Sequence, residues 1–361
     1  MDFNPSGKIY CLKRYKLIIF LILQIVTVRI LAFFPEFIEK FYSNGFYKLL
    51  SEGSRKLFSA IGFSVGDVLY GLVIVFLIIR IIKKRKQWNF KFFVFGILNV
   101  VSVFYFLFNL LWGLNYYRIP LTEKMNLSYE YSYRQLLDYT AKLIEKSNTL
   151  HLEITRNDSA KVINPYSNQQ IFEKSQNGYD KLVLNYPEFA YKKHCVKNSL
   201  ISLPLSYMGF GGYLNPFTGE AQVNALLPKY TFPTTTLHEM AHQIGYASES
   251  EANFIGYLAS ISSDDIYFRY SGYIYALRYC LRNIEKMNPG KVEELLSEIN
   301  YGILLNFEES KQFWEHYQTP IERFFRFFYD NFLKANAQQE GLETYSKFVG
   351  LLISYDKQVI Q

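Results

Sequence analysis

His238, Glu239 and His242 are the residues of this chain whose types and spacing most clearly point to chemistry. Residues four apart lie on one face of a helix, so the two imidazoles can bind a single metal ion. The HExxH pattern supplies two nitrogen ligands for Zn²⁺ and a carboxylate that can take a proton from water at the metal. The chain has only 5 histidines, so a chance placement around a glutamate explains the pattern poorly.

The flanking residues predict that this motif lies on a half-buried helix. Pro233 with the threonines after it is typical of a helix N-terminus, and Gly245 is typical of a C-terminal stop. Apolar residues fall between these limits at helical spacing: Leu237, Met240, Ala241 and Ile244. The two histidines and the glutamate lie off this apolar stripe, which favours metal binding over a role in the core.

A catalytic zinc site needs a third protein ligand, and the best candidates follow directly. The chain resumes as a helix at residues 248–259, which contain two carboxylates. Ser248 and Glu251 have the spacing of a capping box, which predicts a structural role for Glu251 at the helix start. Glu249 has no such role, so we favour it as the ligand and keep Glu251 as the alternative. Asn253, one turn further on, is a candidate partner for the ligands.

These residues resemble two groups of proteins. The HExxH motif is followed by a glutamate within the segment E-S-E-A-N at residues 249–253. This arrangement is similar to that of gluzincin-like peptidases, whose third ligand begins an E-x-x-A-D/N helix. The N-P-F-T-G-E segment at 215–220, the motif with Gln243, and residues 251–254 resemble an uncharacterised family of bacterial membrane proteins with a domain of unknown function. That resemblance covers most of the chain and implies a zinc-dependent peptidase by its motif. The glutamate follows the motif sooner than in gluzincins, which leaves both carboxylates open.

A β-hairpin is predicted just before the motif helix. Residues 211–214 and 221–226 are short strand-like runs on either side of the turn-rich segment 215–220. By analogy with zincins, where substrate lies along an edge strand, this hairpin is a candidate substrate-binding edge. An ordinary hairpin packed on the core is an equally good interpretation.

The first third of the chain predicts a membrane anchor of three helices, at about residues 17–35, 63–82 and 92–114. The last of these runs carries no charge and is long enough to cross a bilayer. A signal sequence would explain the first run alone, but two further spans follow it. We therefore expect a transmembrane anchor at 1–118 and one zincin-like domain at 119–361.

Charge predicts the orientation of the anchor. Basic residues crowd the link between the second and third spans and the segment before the first: Lys83, Lys84, Arg85, Lys86 and Lys91, and Lys8, Lys13, Arg14 and Lys16. Both regions should therefore be cytoplasmic, with residues 36–62 as an outer loop and the C-terminal domain extracytoplasmic. With the bacterial resemblance, this predicts a multi-pass protein of the inner (cytoplasmic) membrane.

The net charge of +7 does not indicate a nucleic-acid partner. Residues 1–114 hold 15 Lys and Arg against 5 Asp and Glu, whereas the remainder holds 24 against 27. The excess of basic residues belongs to the anchor. The mildly acidic domain lacks the excess of Lys and Arg that binding to phosphate backbones would need. We expect the lipid bilayer and a peptide or protein substrate as partners, and no nucleic acid.

The domain after the anchor is predicted to be α+β and mostly helical, with a small sheet. Helices are expected after Ser132, where another capping box begins, and at 171–184, 266–284, 307–333 with a break near Pro320, and 340–355. Cys195 and Cys280 either pair or remain two buried thiols. Tyr246 and Tyr257 are near the motif in sequence, which is a weak indication of a catalytic role.

Two function classes remain after these arguments. The favoured one is a membrane-anchored zinc peptidase in which His238, His242 and Glu249 bind Zn²⁺ and Glu239 is the general base. The alternative is a non-catalytic zinc-binding membrane sensor or assembly protein of the cell envelope. A structural zinc site usually closes its fourth position with Cys or His, and the sequence near the motif has no cysteine, which favours catalysis.

Overall fold

Helices dominate the structure, a computed structural model that describes residues 5–84, 90–336, 338 and 345–360. The anchor region contains Pro5–Leu31 (α1), Pro35–Phe37 (α2), a π-helix at Ile38–Phe46, Tyr47–Phe58 (α3), Val65–Lys84 (α4), Phe90–Leu111 (α5) and a 3₁₀ turn at Gly113–Tyr117. The middle contains Leu121–Lys124 (α6), Tyr133–Thr155 (α7), Asn168–Leu182 (α8), a 3₁₀ turn at Pro187–Phe189, Val196–Asn198 (β1), Ser202–Met208 (α9), Gly212–Leu214 (β2) and Ala221–Val223 (β3). The remaining helices are Phe232–Gln243 (α10), Glu249–Ser262 (α11), Ile266–Met287 (α12), Pro289–Ser297 (α13), Tyr301–Tyr317 (α14), Pro320–Ala335 (α15) and Tyr345–Ile360 (α16).

Two of the described helices are long and apolar enough to cross a membrane, at Val65–Lys83 and Phe93–Leu111. A third span is present if the bent pair Lys16–Leu31 and Pro35–Phe58, with an angle of 98° between its helices, counts as one. The second and third predicted spans are therefore confirmed in length and composition. The first predicted span corresponds to one arm of the bent pair.

The segment predicted as an outer loop is helical instead. The π-helix and α3 bury a single face that contains Ile38, Tyr42, Tyr47, Ser51 and Arg55. The spacing of these residues lengthens from four to five between Tyr42 and Tyr47, and the wider π-turn accommodates this extra residue so that the face stays continuous. The irregular period and the balanced charges concealed this helix in the sequence.

The predicted hairpin is confirmed and completes a three-stranded sheet in the order β1-β3-β2. β2 pairs antiparallel with β3, with Tyr213 opposite Gln222, while β1 pairs parallel with β3. In the turn, Asn215 Oδ1 accepts hydrogen bonds from the backbone N–H groups of Phe217 and Thr218, and Gly219 takes a positive φ of 65°. The sheet is mixed, and β2 forms one of its edges.

A glutamate at the end of the turn connects this hairpin to the anchor. Glu220 is fully buried, and its carboxylate accepts hydrogen bonds from the backbone N–H groups of Val65 and Gly66 in the first turn of α4. Lys197 forms an ion pair with it at 2.5 Å. Because a helix N-terminus favours a negative charge, this contact stabilises the start of α4 directly under the sheet.

The main hydrophobic core lies among α7, α8, α10, α11, α12 and α16. Its predicted helices are confirmed, including the capping box at Ser132 and the break before Pro320. The start of the last predicted helix, at residues 340–344, lies outside the described residues. Cys195 and Cys280 are both buried and free, so the open question of their pairing is resolved in favour of two separate thiols.

Candidate metal centre

α10 places both motif histidines at the edge of the core. The apolar stripe of the helix is fully buried at Leu237, Met240 and Ala241, as the sequence predicted. Gly245 ends the helix with a φ of 89°, a conformation that favours glycine. The chain then turns back into α11, which packs so closely that a Cβ on Gly256 would lie 2.9 Å from the His238 backbone nitrogen. A glycine is therefore needed where α11 crosses the motif.

The two imidazoles and one carboxylate converge at this crossing. His238 Nε2 and His242 Nε2 lie 3.1 Å apart. Glu249 Oε2 lies 3.4 Å from His238 Nε2, and its Oε1 lies 3.7 Å from His242 Nε2. Ligands at about 2.0–2.2 Å around a tetrahedral zinc ion stand roughly 3.3–3.6 Å from one another. The donor types and their separations therefore fit a three-ligand zinc site.

Glu239 lies beside these ligands without forming part of the triangle. Its carboxylate, with the two histidines, belongs to a group of potential ligand atoms within 4.8 Å of one another. Glu239 Oε2 is buried, and no described residue forms a hydrogen bond with it. On its other side, β2 passes so close that a Cβ on Gly212 would lie 2.5 Å from Glu239 Oε1. A buried carboxylate oxygen without a protein partner is what a general base facing water or a metal ion requires.

The charges of the cluster follow from its burial. Burial raises the pKa of Glu239 to about 8. Burial also opposes the charge of Glu249, but its hydrogen bond with His238 and the attraction of His242 outweigh this and lower its pKa to about 2. Burial lowers the pKa of His242 to about 4, whereas for His238 the nearby Glu249 and Glu239 outweigh burial and raise the pKa. In the metal-free cluster, Glu249 is therefore ionised and His242 neutral.

The orientation of His242 is determined by the turn that follows it. Its Nδ1 lies 2.7 Å from the Tyr246 carbonyl oxygen, which can only accept a hydrogen bond. Nδ1 must therefore carry the proton, and the lone pair of Nε2 faces Glu249 and His238. A backbone carbonyl on the second ring nitrogen is the usual support of a metal-binding histidine.

Glu251 lies away from the imidazoles, but not for the predicted reason. The Ser248 side chain makes no capping hydrogen bond, so the predicted capping box is wrong. Instead, Glu251 Oε1 accepts a hydrogen bond of 2.6 Å from the Leu121 backbone, beside the cations Arg118 and Lys124. Glu251 thus fastens α11 to α6, a contact across 130 residues that has no local sequence signal.

Arg118 supports the turn between the motif helix and Glu249. Its Nη1 donates to the Gly245 carbonyl at 2.9 Å, and its guanidinium lies 4.2 Å from the centre of the Tyr246 ring. Arg118 also donates two hydrogen bonds to the Glu39 carboxylate, at 2.7 and 2.9 Å. The buried ion pair thereby connects the π-helix of the anchor to the turn that orients His242.

The anchor also holds the last carbonyl of α10. Tyr47, Ser51 and Arg55 on α3 donate to the Gln243 carbonyl oxygen at 3.2, 2.7 and 2.9 Å. The carbonyls of a helix C-terminus have no partner within the helix, so these donors satisfy a group that burial would otherwise destabilise. The motif helix is thus secured by residues nearly two hundred positions earlier in the chain.

Sequence reasoning missed the aromatic residues around the cluster. Tyr329 on α15 donates to Glu249 Oε1 at 2.5 Å, and the Trp112 ring packs edge-on 6.0 Å from the His242 ring. Tyr246 contributes its backbone carbonyl to His242, whereas the Tyr257 hydroxyl bonds to Tyr139 at 3.2 Å in the core. No sequence signal could have selected Tyr329, since 80 residues separate it from Glu249.

Asn253 lies one turn after Glu249, as predicted, and its position is held by another aromatic residue. The Tyr275 hydroxyl donates to Asn253 Oδ1 at 2.6 Å. Asn253 is also among the groups that favour the protonated form of His238 and so raise its pKa. The structure therefore brings Asn253 to the ligand side of α11.

Comparison with known proteins identifies a family. Searches of curated proteins and of solved structures find no match for the chain. A family model described as a protein of unknown function, DUF3810, matches residues 42–353, a range that includes the motif helix, the hairpin and both apolar helices. Because the match covers most of its length, the chain belongs to the DUF3810 family of proteins of unknown function.

Proposed function

We propose that this protein is a membrane-anchored zinc-dependent peptidase. His238, His242 and Glu249 hold the zinc ion, and Glu239 is the general base. The observation that carries this proposal is the triangle of two Nε2 atoms and one carboxylate, with edges of 3.1 to 3.7 Å, next to a buried carboxylate without a protein partner. Glu239 Oε2 makes no hydrogen bond with a described residue, which favours catalysis over a purely structural metal site.

The residues of the chain perform two tasks in this mechanism. Bound zinc supplies a Lewis acid that polarises the scissile carbonyl and favours the ionised forms of Glu239 and of the attacking water. Glu239 Oε2 takes the proton from that water and delivers it to the leaving amine. Tyr329, through its hydrogen bond to Glu249 Oε1, keeps that carboxylate facing both imidazoles.

The substrate is proposed to bind along β2. This strand is at the edge of the sheet, and its Gly212 lies directly against Glu239. An extended peptide that pairs with an edge strand gains main-chain hydrogen bonds without demanding a particular sequence. Glycine at this position lets the backbone of β2 approach the proposed base more closely than any other residue would.

The two apolar helices support a location in a membrane, and the basic residues at 83–86 support an orientation. We propose a multi-pass protein of the bacterial inner membrane with the metal centre on the extracytoplasmic side. A reporter that is active only outside the cytoplasm should be active when fused after Gln361 and silent when fused near Gln87. The opposite pattern would overturn the orientation.

The decisive test of the peptidase proposal is Glu239→Gln. This substitution keeps the size of the side chain but removes its basicity, so peptide cleavage that is sensitive to chelators should fall by at least about 10²-fold while zinc content stays near that of the wild type. Glu308→Gln, on the exposed face of α14, is the matched control and should leave cleavage unchanged. Equal cleavage by wild type and Glu239→Gln contradicts the mechanism.

The same variant separates the peptidase from a non-catalytic zinc sensor or assembly protein. If Glu239→Gln retains zinc and fold yet fails to replace the wild type in the cell, the base is needed, as the peptidase proposal expects. If the variant replaces the wild type fully, the protein functions as a non-catalytic sensor or assembly protein.

A further inference from the structure

α15 presents two opposite faces of different character. One face is buried against the domain through Glu322 and Leu333 and carries Tyr329 to the metal centre. The other face is apolar and exposed, and its large side chains are Ile321, Phe324, Phe327 and Phe328, which are 54%, 63%, 71% and 63% exposed. Scattered exposed apolar residues are ordinary, but a row of four on one helix face marks a contact surface.

The apolar row of α15 is continuous with the membrane helices. Phe332 packs against Phe108 near the end of α5, with ring centroids 5.9 Å apart. Phe328 and Phe324 precede Phe332 by one and two helical turns, so they extend the same ridge away from that contact. At the helix C-terminus, Arg29 near the end of α1 donates to the Ala335 carbonyl at 3.4 Å.

The other end of α15 is connected through α9 to α4, the remaining apolar helix. Glu322 packs beside Gly209, where α9 ends. α9 starts just after Leu200, whose backbone nitrogen donates to Asp67 in the first turn of α4 at 2.7 Å. A helix of 16 residues extends for about 24 Å, and its contacts connect it directly to α5 and α1.

We propose that α15 is an interfacial helix whose phenylalanine face is covered by the surface of the lipid bilayer. Arg323 is exposed beside the apolar row, where it suits the phosphates of lipid headgroups, whereas the exposed Arg326 and Lys334 pair with Glu322 and Asp330. A face of four large apolar side chains that continues from the apolar helices is typical of a helix that lies in the membrane surface.

The contact of α15 with the bilayer also affects the metal centre. The buried face of the same helix holds the Tyr329 hydroxyl on Glu249, so the bilayer helps to position one wall of the site. The candidate metal centre then lies against the buried face of a helix at the membrane surface. On the basis of the proposed peptidase function, its substrates are polypeptide segments close to the bilayer.

The proposal is tested by nitroxide labels in the full chain reconstituted into vesicles of phosphatidylcholine and phosphatidylglycerol. Phe324→Cys and Phe328→Cys are labelled singly in a Cys11→Ser background, since Cys195 and Cys280 are buried. Asp138→Cys on α7, an exposed position in another helix, is the matched control. Collision rates of each label with oxygen, which partitions into lipid, and with a water-soluble nickel complex are then measured.

We expect the ratio of oxygen to nickel collision rates to be several-fold higher at both phenylalanine positions than at position 138. Equal ratios at the three positions would show that the face is in water and overturn the proposal. Spin–spin broadening at 324 and 328 that grows with protein density, without a preference for oxygen, would show a second copy on this face and also overturn it. The measurement does not involve peptide cleavage. A failure of the membrane proposal is therefore distinguishable from a failure of the proposed peptidase function.

Discussion

The Tyr329 hydroxyl donates a hydrogen bond of 2.5 Å to Glu249 Oε1, the same carboxylate that faces both motif imidazoles. The contact joins α15 to α11, the helix that follows the motif, across 80 residues of sequence. A short bond from a neutral hydroxyl to a carboxylate fixes the rotamer of that carboxylate and stabilises its charge. The ligand geometry therefore depends on α15 as well as on α10 and α11.

Loss of this hydroxyl should weaken zinc binding without abolishing it. Tyr329→Phe removes the support of Glu249 while its ring remains packed, so we expect zinc affinity to fall by about 10-fold, as for other supporting contacts of metal ligands. Tyr257→Phe, which loses only a hydrogen bond to Tyr139, is the control. Affinity is measured by competition with a chromogenic chelator. Equal affinities in the two variants would show that Tyr329 does not support the site.

Metal content distinguishes the two candidate carboxylates. His238→Ala and His242→Ala should each abolish the binding of about one zinc ion per chain, because a three-ligand site rarely survives the loss of an imidazole. Glu249→Gln should lower zinc content far more than Glu251→Gln, whose carboxylate contacts the Leu121 backbone. Elemental analysis of the purified variants is the measurement. Full occupancy in either histidine variant contradicts the assignment, and the reverse order of the glutamates contradicts the choice of Glu249.

The buried Glu239 should make the metal-free protein less stable at higher pH. Its pKa rises from 4.5 to about 8 on folding, so its stabilising contribution is complete below pH 4.5 and is lost as the pH rises through 8. Between these values the free energy of unfolding should fall by up to about 1.4 kcal/mol per pH unit relative to Glu239→Gln, which cannot ionise. Thermal unfolding of both chelator-treated proteins in detergent, from pH 5 to pH 8, measures the difference. If the stabilities of the two proteins changed in parallel with pH, folding would not raise the pKa of Glu239.

Removal of Arg118 should destabilise the fold severely. Arg118→Met leaves Glu39 without its bidentate partner in a buried environment and removes the donor to the Gly245 carbonyl. The expected cost is about 3 kcal/mol, the lower end of the range for breaking one side of a buried ion pair, because Lys124 still pairs with Glu39. Arg134→Met is the matched control, because Arg134 is 91% exposed and its pairing with Asp138 is long, at 3.9 Å. A comparable loss in the two variants, read from the midpoint of thermal unfolding, would contradict a stabilising role for Arg118.

The sequence by itself determined the elements that depend on neighbouring residues. The motif helix, its end at Gly245, the hairpin and the break before Pro320 all follow from side-chain periodicity, capping and backbone preferences within about ten residues. The two long apolar helices follow from composition alone. The preference for Glu249 agrees with the structure in position, although it was argued from a capping box that does not form.

Tertiary structure decided which distant groups meet at the candidate metal centre. Tyr329, Trp112 and the Leu121 backbone contact residues of the motif region from 80 to 130 positions away, and nothing local marks them among 31 tyrosines and many other aromatic residues. The helical character of residues 35–58 was likewise hidden, because its buried face faces α10 and its period changes within the π-helix. Local patterns record only which face of a segment is buried. The identity of the partner depends on how the whole chain packs, since desolvation and hydrogen bonding are properties of the assembled site.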